Sequence, residues 1–327
     1  EREYDVQYVE LEGKGHFWLY RAEKFRPDIL RWLRKTTRGD PPKEYTYRTY
    51  SLKFDRGYWA TVRGLKDWSR AAEVTCRFDP EADKLEVETS NVLSLFVQPP
   101  VGLGDDPEDL KVEWNGNDTE PELMGERRFR LGSLDEDKKL VKTKKLCGPV
   151  REAFGSAFVM VHGGEGTPSY DLALHAAKQW KRYAKGSPWI LAAEEVTDEI
   201  WRKNNLILFG TPDQNKLVAR VLPDLPLGLD KKKVEIGDRS YRLEDAGVWV
   251  VYPSPFASGR YVVVNAGIPW GKELASNHVY DMIPDFIIYA RGRATDATEC
   301  NRYLSAGYFD QYWEFAPEST WHNEPAR

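Results

Sequence analysis

Two short stretches of the sequence combine residue types that can move a proton or hold an anion. The first is Gly15-His16-Phe17-Trp18, where His16 follows a strand-like segment and precedes a helical one. An imidazole titrates near neutrality, so a loop histidine can take a nucleophile's proton and return it to a leaving group. It then needs a nucleophilic oxygen within hydrogen-bond reach and an acid to fix its tautomer. The second stretch is His162-Gly163-Gly164-Glu165-Gly166-Thr167, between an apolar strand-like run and the start of a helix. Backbone N–H groups in such a turn can cradle an anion or meet a developing oxyanion. The stretch fits neither G-x-G-x-x-G nor the P-loop, since no Gly-Lys-Ser/Thr follows, and a plain tight turn remains the competing reading. Gly163, Gly164, Gly166 and Thr167 are the candidate ligand contacts, with Gly210 and Asn265 at the ends of two further strands. Asp213, Asn215 and Glu165 are the other polar groups expected near that crevice.

Other chemistry finds less support. His162, His175, His278 and His322 share no H-x-x-x-H or H-E-x-x-H spacing, and Cys76, Cys147 and Cys300 form no C-x-x-C pair. Neither a metal nor a cofactor is expected, and isolated buried thiols are the default. No G-x-S-x-G elbow occurs; Phe154-Gly155-Ser156-Ala157-Phe158 and Leu304-Ser305-Ala306-Gly307 lack its flanking glycines. Asn117-Asp118-Thr119 fits a glycosylation sequon, a pattern frequent by chance.

The elements that must position these residues fall into three textures. Tyr4–Leu11 alternates apolar and polar residues and reads as a strand; Pro27 opens a helix to about Thr37 with Ile29, Leu30, Trp32 and Leu33 as its apolar stripe. From 41 to 134 come short runs rich in Tyr, Val, Thr, Leu and Phe: 45–54, 58–65, 71–78, 84–88, 92–97 and 111–114. Turn signals such as Asp79-Pro80 and Asn115-Gly116 separate them, which predicts an antiparallel β-sandwich or barrel, taken here as a β-sandwich. The charged run 135–147 is expected to be a solvated linker. From 148 to 315 strands and helices alternate: strands over 157–161, 205–209, 248–252, 261–264 and 286–289, helices over 169–185 and 213–221, and a helix capped by Thr197. That order predicts a mostly parallel, doubly wound flavodoxin-like sheet, followed by a tail over 316–327. His175 is expected on an exposed helix face. In a doubly wound sheet, ligands bind outside the carboxyl ends of the strands.

Composition sets the outer limits. The chain has 327 residues, with 47 Lys and Arg against 52 Asp and Glu, a net charge of −5. That balance argues against a general nucleic-acid binder. A hydrophobic share of 41% beside 30% charged residues fits an ordinary globular chain, and no apolar run nears the ~18 residues of a membrane span. Most of the 12 Trp belong in cores. Trp59, Trp68 and Trp114 are the candidates for a sugar-binding surface if the chain is a pair of structural or ligand-binding modules.

The stretch Tyr8–Phe96, with Gly15-His16-Phe17-Trp18, Tyr58-Trp59-Ala60 and Thr89-Ser90-Asn91-Val92, resembles the downstream half of large prolyl-oligopeptidase-like α/β-hydrolases. Gly148-Pro149 with Phe154, the run 158–161 and its Gly loop, Val196-Thr197-Asp198, the run 205–210 and the run 252–255 extend the likeness to about Trp313. The resemblance implies a serine esterase or peptidase in which residues 1–40 are the terminal strand, histidine loop and helix of the hydrolase sheet. His16 then matches the triad histidine. Such enzymes order their triad Ser, acid, His, so serine and acid are expected upstream of Glu1 or on another chain, and the sequence is expected to begin inside a fold. The implied partners are that N-terminal α/β-hydrolase portion and a small ester or peptide substrate, in a secreted or periplasmic setting.

Overall fold

The computed structural model describes residues 8, 10, 12–13, 15, 26–37, 41–99, 110–125, 128–271, 279–281, 283–291 and 302–323. The chain divides into two compact units, Glu1–Pro42 and Lys43–Arg327. In the first, helix α1 (Arg26–Lys35) carries Asp28 in its first turn and Arg34 and Lys35 in its last, each opposing the helix dipole. None of its residues is buried, and Ile29, Leu30, Trp32 and Leu33 are 40–54% exposed. Most of the expected strand Tyr4–Leu11, and His16 with it, lie outside the described residues.

The second unit opens with strands β1 (Glu44–Thr49), β2 (Arg56–Gly57), β3 (Ala60–Leu65), β4 (Ala72–Asp79), β5 (Lys84–Ser90), β6 (Val92–Val97), β7 (Lys111–Trp114), β8 (Asn117–Asp118), β9 (Glu122–Leu123) and β10 (Phe129–Gly132). They make two five-stranded sheets, ordered β1-β4-β5-β7-β8 and β2-β3-β6-β10-β9. Every ladder is antiparallel except β5–β7. Residues alternate buried and half-exposed along β4 because successive side chains point to opposite faces. Val74, Cys76 and Leu85 from one sheet share a single buried cluster with Val62, Leu95 and Leu131 from the other. Trp59 and Trp68 are each 4% exposed and belong to that cluster, so neither ring is a sugar platform.

The remaining elements are β11 (Phe158–His162), α2 (Pro168–Ala184), β12 (Trp189–Ala192), α3 (Asp198–Lys203), β13 (Asn205–Phe209), α4 (Lys216–Val221), β14 (Gly228–Leu229), β15 (Lys233–Ile236), β16 (Arg239–Arg242), β17 (Ala246–Pro253), β18 (Tyr261–Gly267), β19 (Phe286–Ala290), β20 (Arg302–Gly307) and β21 (Thr320–His322). Strands β14, β15 and β16 form a small antiparallel sheet; the rest form one sheet ordered β12-β11-β13-β18-β17-β19-β20-β21. The four strands β12, β11, β13 and β18 are mutually parallel, but every ladder from β18–β17 onward is antiparallel. The sheet is therefore mixed rather than mostly parallel. The cause lies in the connections: Ser254–Arg260 is too short for a crossover helix, so β17 and β18 pair as a hairpin. Central strands β13 and β17 are buried at every position, which is why they read as unbroken apolar runs.

The charged run 135–147 is not a solvated linker throughout. Lys142 is fully buried, its Nζ 2.6 Å from Asp285 Oδ2 and 2.8 Å from the Phe309 carbonyl, with the Trp68 and Trp313 rings beside it. Gln311 exchanges hydrogen bonds with the Lys142 backbone and accepts one from the Leu65 amide. A carboxylate, a carbonyl and two ring faces give this one ammonium a site inside the fold, while Lys144 and Lys145 stay exposed. No helix among the described residues is long and apolar enough to cross a membrane.

Candidate functional site

The parallel strands leave β11 between β12 and β13, although β12 follows it in sequence. The chain thus moves in opposite directions along the sheet after its first two strands, a reversal of strand order at whose carboxyl ends open α/β sheets take their ligands. The loop after β11 is built by capping. Thr167 accepts a hydrogen bond from the Tyr170 amide, Pro168 occupies the first turn of α2, and Ser169 Oγ accepts from the Gly163 amide at 2.9 Å. Thr167 Oγ1 donates to the Gly164 carbonyl at 2.7 Å. The loop after β13 is built likewise: Asn215 caps α4 through the Leu217 amide and donates to the carbonyls of Val161 and Phe209.

These two loops pack on each other where a ligand was expected. A side chain at Gly163 would meet the Gln214 carbonyl oxygen at 1.6 Å, and one at Gly210 would meet the Ser169 Cβ at 2.6 Å. The two glycines therefore make room for protein. Gly166 instead faces open space, with φ +72°. Asn265 is 2% exposed and spans the Val248 carbonyl and the Tyr289 hydroxyl, so its amide is committed to the sheet. Asn215 is equally committed, Asp213 accepts from the Thr211 hydroxyl at 2.7 Å, and Glu165 is exposed. His162 is 5% exposed, its ring edge-on to Tyr170, and its Nδ1 has no hydrogen-bond partner. His175 is half-buried rather than free on the surface, because Nε2 meets the Trp270 carbonyl at 2.8 Å.

The open space lies one step along the same edge. A crevice of about 780 Å³ sits over the ends of β13 and β18, between the first turn of α2 and the small β14–β16 sheet. Its lining includes the apolar Pro168, Leu172 and Leu243, with Thr211, Gln214 and Ser240 as neutral polar groups. One wall is Lys231, Lys232 and Lys233 with Arg242, beside Asp230 and Glu244. Sequence reading missed this wall because β14–β16 are short and polar, though the triple lysine at 231–233 was a visible signal.

Among the described residues, a serine and a histidine do meet. Ser305 Oγ and His322 Nδ1 are hydrogen-bonded across the β20–β21 ladder, where the two residues are in register. Ser305 is fully buried and its Oγ also accepts a hydrogen bond from the Tyr241 hydroxyl, so no acyl group reaches it. Burial and Arg239 hold His322 below the ordinary imidazole range. Ser156, in the other near-miss of an elbow, accepts from the Asn205 amide at 3.0 Å. Cys76 and Cys147 are buried free thiols, and burial pushes Cys76 up to about 12. Among the described residues no group of three His, Cys, Asp or Glu side chains could hold a metal.

No family model, curated protein or solved structure matches the chain. What fold and crevice define is a mixed α/β protein whose second unit joins two five-stranded sheets to one large mixed sheet.

Proposed function

We propose that the chain is the C-terminal portion of a prolyl-oligopeptidase-like serine hydrolase that cleaves an ester or peptide bond through an acyl-enzyme. In this reading residues 1–40 are the terminal strand, histidine loop and helix of an α/β-hydrolase sheet. His16 takes the proton of a serine hydroxyl as that oxygen attacks the acyl carbon, then returns it to the leaving group. The serine and the acid belong to polypeptide outside this chain's sequence.

The observation that carries the reading is α1. An amphipathic helix stabilises itself by burying its apolar stripe, yet α1 buries none of its residues. A strand-like segment, a Gly-bounded histidine and such a helix, in that order, are what the last element of a hydrolase sheet requires. The two five-stranded sheets with one shared core support a β-sandwich for the next region. The parallel strands β12-β11-β13-β18, with the first in sequence flanked by the second and third, support a flavodoxin-like half for the one after.

The test is labelling by a fluorophosphonate probe, which forms a stable bond with an activated serine. The complete protein containing this chain is expected to label at one serine outside residues 1–327. Failure of the folded, complete protein to label overturns the reading.

A further inference from the structure

We infer that the basic crevice over β13 and β18 is a binding site for a small organic anion bearing phosphate or carboxylate groups, an inference independent of the hydrolase reading.

Four observations converge on it. The first is place: the crevice lies outside the carboxyl ends of parallel strands, where open α/β sheets take their ligands. The second is size, since about 780 Å³ falls within the range of small-molecule clefts. The third is charge. On a chain of net charge −5, the crevice lining gathers Lys231, Lys232, Lys233 and Arg242 beside Asp230 and Glu244, with Glu235 and Asp245 paired to Lys233 and Arg242.

The fourth is how those charges are already engaged. Asp230 Oδ1 accepts the amides of Lys232 at 2.6 Å and Lys233 at 2.9 Å, which fixes the turn that carries the lysines. Lys233 pairs with Glu235 and Arg242 with Asp245, each pair at the edge of the crevice. Lys231 and Lys232 have no ion-pair partner within 4 Å among the described residues, and both are exposed on the wall. Both line the same crevice, so an anion bound there is attracted by two ammonium groups rather than by one. Ser240, on the same strand as Arg242, and Gln214, from the loop after β13, add neutral polar groups to the lining. Leu172 and Leu243 in the same lining suit the apolar body of an organic anion better than a bare ion.

The test is calorimetric titration of this chain at low ionic strength with inorganic pyrophosphate and, separately, with citrate. Saturable binding of at least one probe is expected, weakening with added salt. Lys231→Glu/Lys232→Glu is expected to weaken it at least tenfold, because the variant turns two attractions into two repulsions. Lys178→Glu/Lys181→Glu, on exposed positions of α2, is the control and leaves the affinity unchanged. Pyrophosphate alone marks a phosphate site, and citrate alone a carboxylate site. No saturation with either probe overturns the inference, as does a loss in the crevice variant no larger than in the control. Hydrolase labelling can fail or succeed without altering any of these outcomes.

Discussion

Replacing Lys142 by Met should be among the most damaging single changes to the second unit. The side chains of Lys142 and Asp285 are both 0% exposed, with Nζ 2.6 Å from Oδ2. At that separation, with an effective dielectric of about 20, the attraction is about 6 kcal/mol. Removing both ions from water costs several kcal/mol each, so the pair roughly breaks even while a lone survivor does not. Burial pulls the Lys142 amine down and pushes the Asp285 carboxyl up, both directions opposing the ionised pair, and each partner's attraction works against the other's shift. Lys142→Met leaves Asp285 with only the Phe309 amide on Oδ2 and nothing on Oδ1. We expect a loss of about 3–5 kcal/mol in urea unfolding, or roughly 10 °C in melting temperature. Lys142→Met/Asp285→Asn removes the stranded charge while the Asn carbonyl still accepts from Phe309. It should recover about 2 kcal/mol of that loss, a coupling typical of residues in contact. A single variant that costs under about 1 kcal/mol, or a double variant no more stable than the single, refutes the account of a buried, mutually dependent pair.

Two further outcomes follow from local geometry. Gly163→Ala drives a methyl group into the Gln214 carbonyl and should cost about 3 kcal/mol or more, whereas Gly166→Ala meets open space and should cost about 1 kcal/mol for its positive φ; equal losses by chemical denaturation would contradict the packing role. For Asp67, burial alone would raise the carboxyl, but hydrogen bonds from Ser319 and Ser69, with Arg70, outweigh it and hold the group below its ordinary 3.8. A depressed folded value adds stability above the unfolded one, lost as pH falls through the folded one, so Ser319→Ala should flatten the fall in melting temperature below about pH 4; an unchanged acid slope would exclude this linkage.

Strand runs set by alternation or unbroken burial were legible from sequence. Val92–Val97, Lys111–Trp114 and Asn205–Phe209 match their expected bounds, because the period of 2 and the fully apolar run are local signals. Capping was less so: the helix expected from Asp213 begins at Lys216, since Asn215 supplies the cap and the residues before it pack against Gly163. Pairing direction was not legible past β18, because it depends on how far each connection must reach. The same holds for Lys142, whose surroundings come from Trp68, Asp285, Phe309 and Trp313, all distant in sequence. At the candidate site, the loop positions were readable from Gly and Thr. Of the basic wall only the lysine run 231–233 was visible; its place in the fold was not, because strands as short as β14–β16 carry too few residues to show a period.

The account rests most heavily on His16 as a proton carrier for a serine outside this chain's sequence. Turnover of an activated ester by the complete protein, wild type against His16→Ala, tests it most directly. The account predicts a fall of about 10⁴-fold or more with an unchanged melting temperature. A variant that folds and turns over within about tenfold of wild type contradicts it.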